Sequence, residues 1–181
     1  KLSKKYNIPV IEDSAQCVLG YIDGQLVGTF GDMASYSFED SKHISCGEGG
    51  MLITNNERLA IRARKIGNHG FKNLKSKSGR IKQDMSVFQN PNYKRHDTIG
   101  WNYRLPEFNS AIAMAQLERL DELVEYRMKT AEIFIETMME CDYLIPQKTP
   151  RSCTNSYWAL GVKYEGEEID EIKRNEIVQM L

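Results

Sequence analysis

A glycine cluster between two short apolar runs constrains this chain more than any other stretch. Gly47, Gly49 and Gly50 fall within four residues. Upstream, Met33 to Phe38 alternates apolar and polar side chains, which predicts a strand. Downstream, Met51-Leu52-Ile53-Thr54 predicts another. Glycine lets backbone approach closely, so this loop packs against something. The segment between the runs, Ser37 to Gly50, contains one lysine, Lys42. Lysines ordinarily sit on exposed, hydrated surfaces. One held at the mouth of a sheet is a candidate for amine chemistry. Taken alone, Lys42 also reads as a surface residue beside a glycine turn.

A second segment decides between these readings. Asn7 to Glu12, with Ile8, Val10 and Ile11, predicts a short strand after a helical end at residues 1–6. It runs into Glu12-Asp13-Ser14-Ala15-Gln16. Carboxylates at the carboxyl end of a buried strand face the crevice where α/β sheets bind ligands. A lysine paired with such an aspartate suits pyridoxal phosphate. The lysine forms a Schiff base with the aldehyde, and the aspartate holds a proton on the pyridine nitrogen. Asp13 also reads as the N-cap of a helix opening at Ser14, and the two roles are compatible.

The segments Glu12-Asp13-Ser14-Ala15-Gln16, Gly31-Asp32, Tyr36-Ser37-Phe38, Lys42-His43, Gly47-Glu48-Gly49-Gly50 and Gly100-Trp101-Asn102-Tyr103-Arg104 resemble the DegT/DnrJ/EryC1/StrS sugar aminotransferases. The resemblance runs to about Arg127 and more faintly beyond. It implies an α/β fold of the type I pyridoxal phosphate transferases, the aspartate-aminotransferase-like architecture. Residues 1–140 would form the second half of the large, cofactor-binding domain, and 141–181 the start of the small C-terminal domain. By position, Lys42 matches the Schiff-base lysine and Asp13 the aspartate on the pyridine nitrogen. Gln16 matches the residue beside the ring and its phenolic oxygen. Ser37 matches a hydroxyl on the cofactor phosphate. Asn102 matches an asparagine that reaches the phosphate in the neighbouring subunit of a homodimer. The implied reaction moves an amino group from glutamate or glutamine to a nucleotide-linked keto-sugar, as in polysaccharide or amino-sugar biosynthesis. Some relatives with histidine at the lysine position are sugar dehydratases. Here that position is Lys42 and histidine follows it, which fits the transaminase branch. A non-catalytic fragment lacking half the pocket is the reading from a different class.

Composition sets the remaining bounds. The chain has 181 residues, 41% apolar and 27% charged, with a net charge of −1. Such a balance argues against nucleic acid as an obvious partner. No apolar run is long enough to predict a membrane span. Cys17, Cys46, Cys141 and Cys153 are far apart, with no zinc-type spacing; they read as reduced thiols in a cytoplasm. The chain opens without methionine, inside what reads as a crossover helix, and stops within an amphipathic one, so it reads as a fragment. The resemblance implies further segments on both sides, the upstream one carrying a phosphate-binding helix start and an aromatic platform.

In chain order, Asp23-Gly24 predicts the turn of a hairpin over residues 20–29. Asn55-Asn56-Glu57 opens a helix through about Ile66, ended by Asn68-His69-Gly70. Residues 70–99 read as a long loop made basic by Lys72, Lys75, Lys77, Arg80, Lys82, Lys94 and Arg95. It is either solvated or faces an anionic substrate such as a sugar nucleotide. His69 and His96 read as structural or solvated. From Pro106, apolar residues at helical spacing predict a helix that runs, with a bend, through Met139. Tyr143 to Pro150 reads as a connector, Ser156 to Tyr164 as a strand, and residues 168–181 as a helix.

The Asp13 assignment is testable. Asp13→Asn keeps the shape but removes the negative charge expected to face the pyridine nitrogen. Weak cofactor binding and transamination lower by on the order of 10²-fold are expected, the scale of losing one preorganised electrostatic contact. Unchanged steady-state kinetics would leave Asp13 as a cap only.

Overall fold

A computed structural model describes residues 1–72 and 84–166, together with Lys173, Asn175, Glu176 and Gln179. The chain opens with α1 (Leu2–Tyr6), closed by Asn7 in the left-handed region at φ 51°. The first strand, β1 (Ile11–Asp13), is shorter and later than the 7–12 run predicts. The cause is local. The Ile8 amide bonds back to Ser3 O at 3.1 Å, and the Ser3 hydroxyl donates to Ile8 O at 2.7 Å. Residues 7 and 8 therefore belong to the helix end.

The predicted hairpin forms from β2 (Tyr21–Ile22) and β3 (Gln25–Leu26). Its turn residues, Asp23 and Gly24, have φ of 51° and 77°, the doubly positive geometry of a turn matched to strand twist. Next come β4 (Met33–Ser37) and β5 (Gly50–Ile53). β4 lies between the other two strands of its sheet. It runs parallel to β1, with Asp13 opposite Ser35, and antiparallel to β5, with Ser37 opposite Gly50. Gly50 is required there, because a Cβ on it would lie 2.7 Å from Tyr36 O.

Glu12 holds the excursion between β1 and β4 closed. Its carboxylate accepts from the amides of Gly28 at 2.7 Å, Phe30 at 2.7 Å and Gly31 at 2.6 Å. Asp32 adds a bond from the Val10 amide at 2.8 Å.

The helix α2 (Glu57–Gly67) starts at Asn56, whose side chain accepts from the amides of Arg58 and Leu59. The loop beyond it is not free of structure, since α3 (Met85–Gln89) forms with Asp84 as its cap. Lys75, Lys77, Arg80 and Lys82 lie outside the described residues, while Lys72, Lys94 and Arg95 are exposed. The predicted 106–139 helix is two helices, α4 (Glu107–Leu117) and α5 (Leu120–Met139). The break falls at Glu118-Arg119, where Arg119 leaves helical geometry at φ −109°, ψ 11° and its guanidinium pairs with Glu122 in the first turn of α5. The 143–150 connector contains β6 (Leu144–Pro146), β7 (Cys153–Thr154) follows, and the last strand, β8 (Val162–Tyr164), pairs with β6. β7 joins the hairpin, with Ile22 opposite Cys153. Residues 156–161 do not extend β8, because 156–158 are bonded elsewhere. The 168–181 helix falls almost wholly outside the described residues.

The buried apolar side chains include Ala34 on β4, Ile44 and Cys46 from the lysine loop, and Ala113, Val124 and Ala131 from α4 and α5. All four cysteines are free thiols. Among the described residues, no helix is long and apolar enough to cross a membrane.

Glu12→Gln tests the carboxylate anchor. The amide has one acceptor oxygen in place of two and sets an NH₂ against a backbone N–H. A loss of about 2 kcal/mol is expected, the scale of a hydrogen bond to a charged group. Equilibrium urea denaturation reads it directly, and an unchanged midpoint would contradict the anchor.

Candidate active site

The site is built on the end of the β1–β4 pair. Because the two strands are parallel and adjacent, their carboxyl ends, carrying Asp13 and Ser37, lie at the same end of the sheet, and the loop carrying Lys42 leaves from that end. Asp13 is exposed, and its Oδ1 accepts from the Ala15 amide at 3.1 Å. No helix opens there. Ser14 to Cys17 is a turn, closed by the Cys17 amide on Ser14 O. Gln16 lies exposed in this turn. Ser37 Oγ accepts from the Glu39 amide at 3.3 Å.

The Lys42 side chain is only 14% exposed, which separates it from a solvated surface lysine. Its Nζ lies 4.3 Å from the centre of the Trp158 ring and 3.8 Å from Glu39 Oε2. Glu39 is held at about 2 by hydrogen bonding with Asp40 and then Ser41, while Asp40 is raised by the same neighbour. Of the two carboxyls, Glu39, beside Lys42, is thus the first to lose its proton.

The loop that carries Lys42 is pinned from several sides. Its ends meet through Cys46 N to Phe38 O and Phe38 N to Gly49 O, both 2.9 Å. Asn109 on α4 donates to Cys46 O at 2.8 Å and Glu48 O at 3.3 Å. Arg127 on α5 donates to Lys42 O at 3.1 Å and to Trp158 O at 3.3 Å. Trp158 Nε1 donates to Ser41 O at 3.1 Å. His43 is buried, with Nε2 at 3.0 Å from Ser156 O. A carbonyl only accepts, so Nε2 carries the proton and Nδ1 is left without a hydrogen-bond partner.

Asn102 is placed on a different support. It bridges Asn68 at the end of α2, and its Oδ1 accepts from Arg104 Nε at 2.7 Å. Arg104 also meets His69 Nε2 at 3.2 Å. The approach depends on glycine, since a Cβ on Gly100 would lie 2.2 Å from Gly70 N. Sequence reasoning did not single out Glu12, Asn109, Arg127 or Trp158. The two tryptophans carried the only available signal, because a large aromatic with a polar N–H in a short irregular stretch is a packing anchor.

The donor set suits a pyridoxal phosphate ligand: a carboxylate and a hydroxyl at one end of the β1–β4 pair, and a sheltered amine on the loop that leaves it. Among the described residues, no group of three or more acidic, histidine or cysteine side chains could hold a metal ion. The fold is that of the type I pyridoxal phosphate transferases. The chain belongs to the DegT/DnrJ/EryC1/StrS aminotransferase family, whose model matches residues 1–181.

Among its relatives, GDP-perosamine synthase of Escherichia coli O157:H7 is 30% identical over 181 residues, covering 100% of this chain and 44% of the relative. A putative L-glutamine:3-amino-2,3-dideoxy-scyllo-inosose aminotransferase of Micromonospora echinospora is 29% identical, covering 99% of this chain and 40% of the relative. The chain therefore spans less than half the length of these relatives. Among solved structures, the aminotransferase TlmJ from Streptoalloteichus hindustanus superposes with a TM-score of 0.78 at 27% identity, covering 98% of this chain and 44% of that one. E. coli GDP-4-keto-6-deoxy-D-mannose-3-dehydratase with bound hydrated PLP superposes with a TM-score of 0.81 at 24% identity, over 98% of this chain and 45% of that one; at that identity the likeness bears on the fold alone.

The His43 environment sets a pH dependence. Burial pushes the imidazole pKa below its ordinary value; the Ser156 carbonyl opposes this, and the Arg127 and Lys42 charges add to it. An unfolded histidine titrates near ~6.5, so the unfolded chain binds the proton first as pH falls. The stability from neutral His43 is thus full above that value and is lost as pH falls toward the folded-state pKa. Urea midpoints should drop between about pH 7.5 and pH 5.5. In His43→Gln, which retains a donor toward Ser156 O, the drop should be smaller. Equal drops in both proteins would show that His43 does not carry the dependence.

Proposed function

We propose that this chain is part of a pyridoxal-phosphate-dependent aminotransferase that moves an amino group from glutamate or glutamine to a nucleotide-linked keto-sugar. The observation that carries the proposal is Lys42: a sheltered amine on a loop pinned at its backbone, leaving the end of the sheet where Asp13 and Ser37 lie. Relatives named for sugar amination support the substrate class. Lysine at position 42, where dehydratase relatives are expected to carry histidine, favours amination over dehydration.

Pyridoxal phosphate, when bound, supplies an aldehyde that receives the amino group and a ring that takes up electron density. Asp13 would hold a proton on the pyridine nitrogen through its negative charge. Gln16 would lie beside the ring, and the Ser37 hydroxyl would donate to the phosphate. Lys42 Nζ would move a proton between substrate carbon and cofactor carbon, acting as base and then acid. The pinned loop fixes where that nitrogen stands. Residues 1–140 act as part of the cofactor-binding lobe and 141–181 as the start of the small lobe. A cytoplasmic location accords with four free thiols.

We also propose that the intact enzyme is a homodimer with shared sites, Asn102 reaching the partner's cofactor phosphate. Phe108, Ile112, Met114 and Leu117 on α4 are exposed, Phe108 at 87%, and Trp101 and Tyr103 beside Asn102 are exposed too. Such an apolar face suits an isologous contact.

One experiment tests lysine and dimer together. Lys42→Ala and Asn102→Ala homodimers of the complete enzyme should each lose most activity. In the mixed dimer one site carries both lesions and the other carries none, so activity should return on mixing, up to the share of intact sites. Full turnover by Lys42→Ala would overturn the catalytic assignment. Confirmed heterodimers without recovery would overturn the role of Asn102 across the interface.

A further inference from the structure

Three consecutive residues of the lysine loop are joined to two residues, Ser156 and Trp158, more than a hundred positions later. Ser41 O accepts from Trp158 Nε1 at 3.1 Å. Lys42 O and Trp158 O share the Arg127 guanidinium, at 3.1 and 3.3 Å. His43 Nε2 donates to Ser156 O at 3.0 Å. The side chains repeat the pattern, with the Lys42 ammonium 4.3 Å from the centre of the Trp158 ring.

The chain distorts to make these contacts. Tyr157 sits at φ 49°, uncommon for an aromatic residue, and its amide is held by Asn155 Oδ1 at 2.9 Å. Ser156 and Trp158 on either side of this turn present groups to the loop, while the Tyr157 hydroxyl meets Thr149 Oγ1 at 3.4 Å. His43 and Ser156 are buried at the joint, His43 at 4% exposure. A solvated surface contact would not be fixed at four points.

We infer that Trp158 is a positioning residue for Lys42 and Arg127 the clasp that holds the two together, so that the 156–158 segment sets where the reactive amine stands. Its face takes the Lys42 ammonium by cation–π attraction. Its indole N–H fixes the ring against the backbone of the residue just before Lys42. Arg127 suits the clasp because its planar fork reaches two carbonyls at once, which a lysine ammonium on a flexible stem does not reproduce. The inference deepens the function proposed above and rests on the reading of Lys42 as the reactive amine.

The test separates the two claims. First, pyridoxal phosphate is added to the unmodified complete protein, reduced with borohydride, and the peptides are mapped by mass. A pyridoxyl group on Lys42 supports the functional reading; its absence there overturns that reading and leaves the positioning claim to the next measurement. Second, the cofactor-free protein is labelled with trace acetic anhydride, and Lys42 acetylation is expressed relative to the exposed Lys129. Trp158→Ala and Arg127→Gln should raise that ratio about 5- to 10-fold as the cover and clasp are lost. Trp158→Phe, which keeps a ring face but no N–H, should fall between. A ratio within about twofold of the unmodified protein in Trp158→Ala would overturn the inference.

Because Trp158→Ala could fail to fold, a spectroscopic measurement stands beside it. Trp158 is left as the remaining tryptophan by replacing the others, Trp101 included, with Phe. Lys42→Met in that background removes the charge from the ring face. A shift in Trp158 emission is expected, and identical emission would overturn the contact. A role confined to packing would leave the emission unmoved by the loss of charge.

Discussion

Three backbone amides converge on the carboxylate of Glu12, and much of the sheet depends on that convergence. Residues 14–31 leave β1 and return to β4 without a helix to guide them. Glu12 ties Gly28, Phe30 and Gly31 back to β1, and Asp32 repeats the device on Val10. Only then does β4 enter parallel to β1 in a fixed register, with Asp13 opposite Ser35. A slip of one residue would reverse every side chain on the strand. Ser37 would leave its place at the sheet end and the lysine loop would start from the wrong face. A half-buried carboxylate anchor thus fixes the register from which the candidate active site is built.

The strands and helices were legible wherever local pattern decides them. Asp23-Gly24 gave its hairpin, Asn56 its cap and the 33–37 alternation its strand, because each outcome depends on neighbours a few residues away. Lys42, Asp13 and Ser37 were singled out by resemblance, and the parallel β1–β4 pairing is a physical reason why Asp13 and Ser37, so far apart in the chain, lie at one end of the sheet. The failures have a common origin. Residues 7–8 were drawn into a helix end by Ser3. Residues 156–161 alternate well enough for a strand, yet 156–158 are bonded to the lysine loop instead. The 106–139 pattern stays apolar through Glu118-Arg119, while the backbone breaks there and Arg119 pairs with Glu122. Competing contacts, short-range at Ser3 and long-range at Trp158, override periodicity, and periodicity contains no term for them.

The candidate site combines a rigid part and an open part. Lys42 is sheltered and its backbone is bonded to α5, whereas Asp13 and Gln16 face solvent. An amine that must act at one atom benefits from a fixed position. Groups that receive a planar ring need room in front of them. The buried His43 belongs to the rigid part: kept neutral by its surroundings, it anchors the loop without adding a second charge beside the lysine.

The joint between 41–43 and 156–158 also bears on when the site comes into being. Its partners are separated by 113 to 117 positions along the chain, so its closure is a late, non-local event. A nascent chain carries Lys42 long before Trp158 and Ser156 have been synthesised. Until then the loop lacks the Trp158 indole N–H and the Ser156 carbonyl that hold it, and the amine has no ring to lie against. Synthesis in the N-to-C direction therefore delays the reactive geometry until most of this chain has emerged. On the role proposed for Lys42, this order of events leaves its amine without the contacts that position it during that interval.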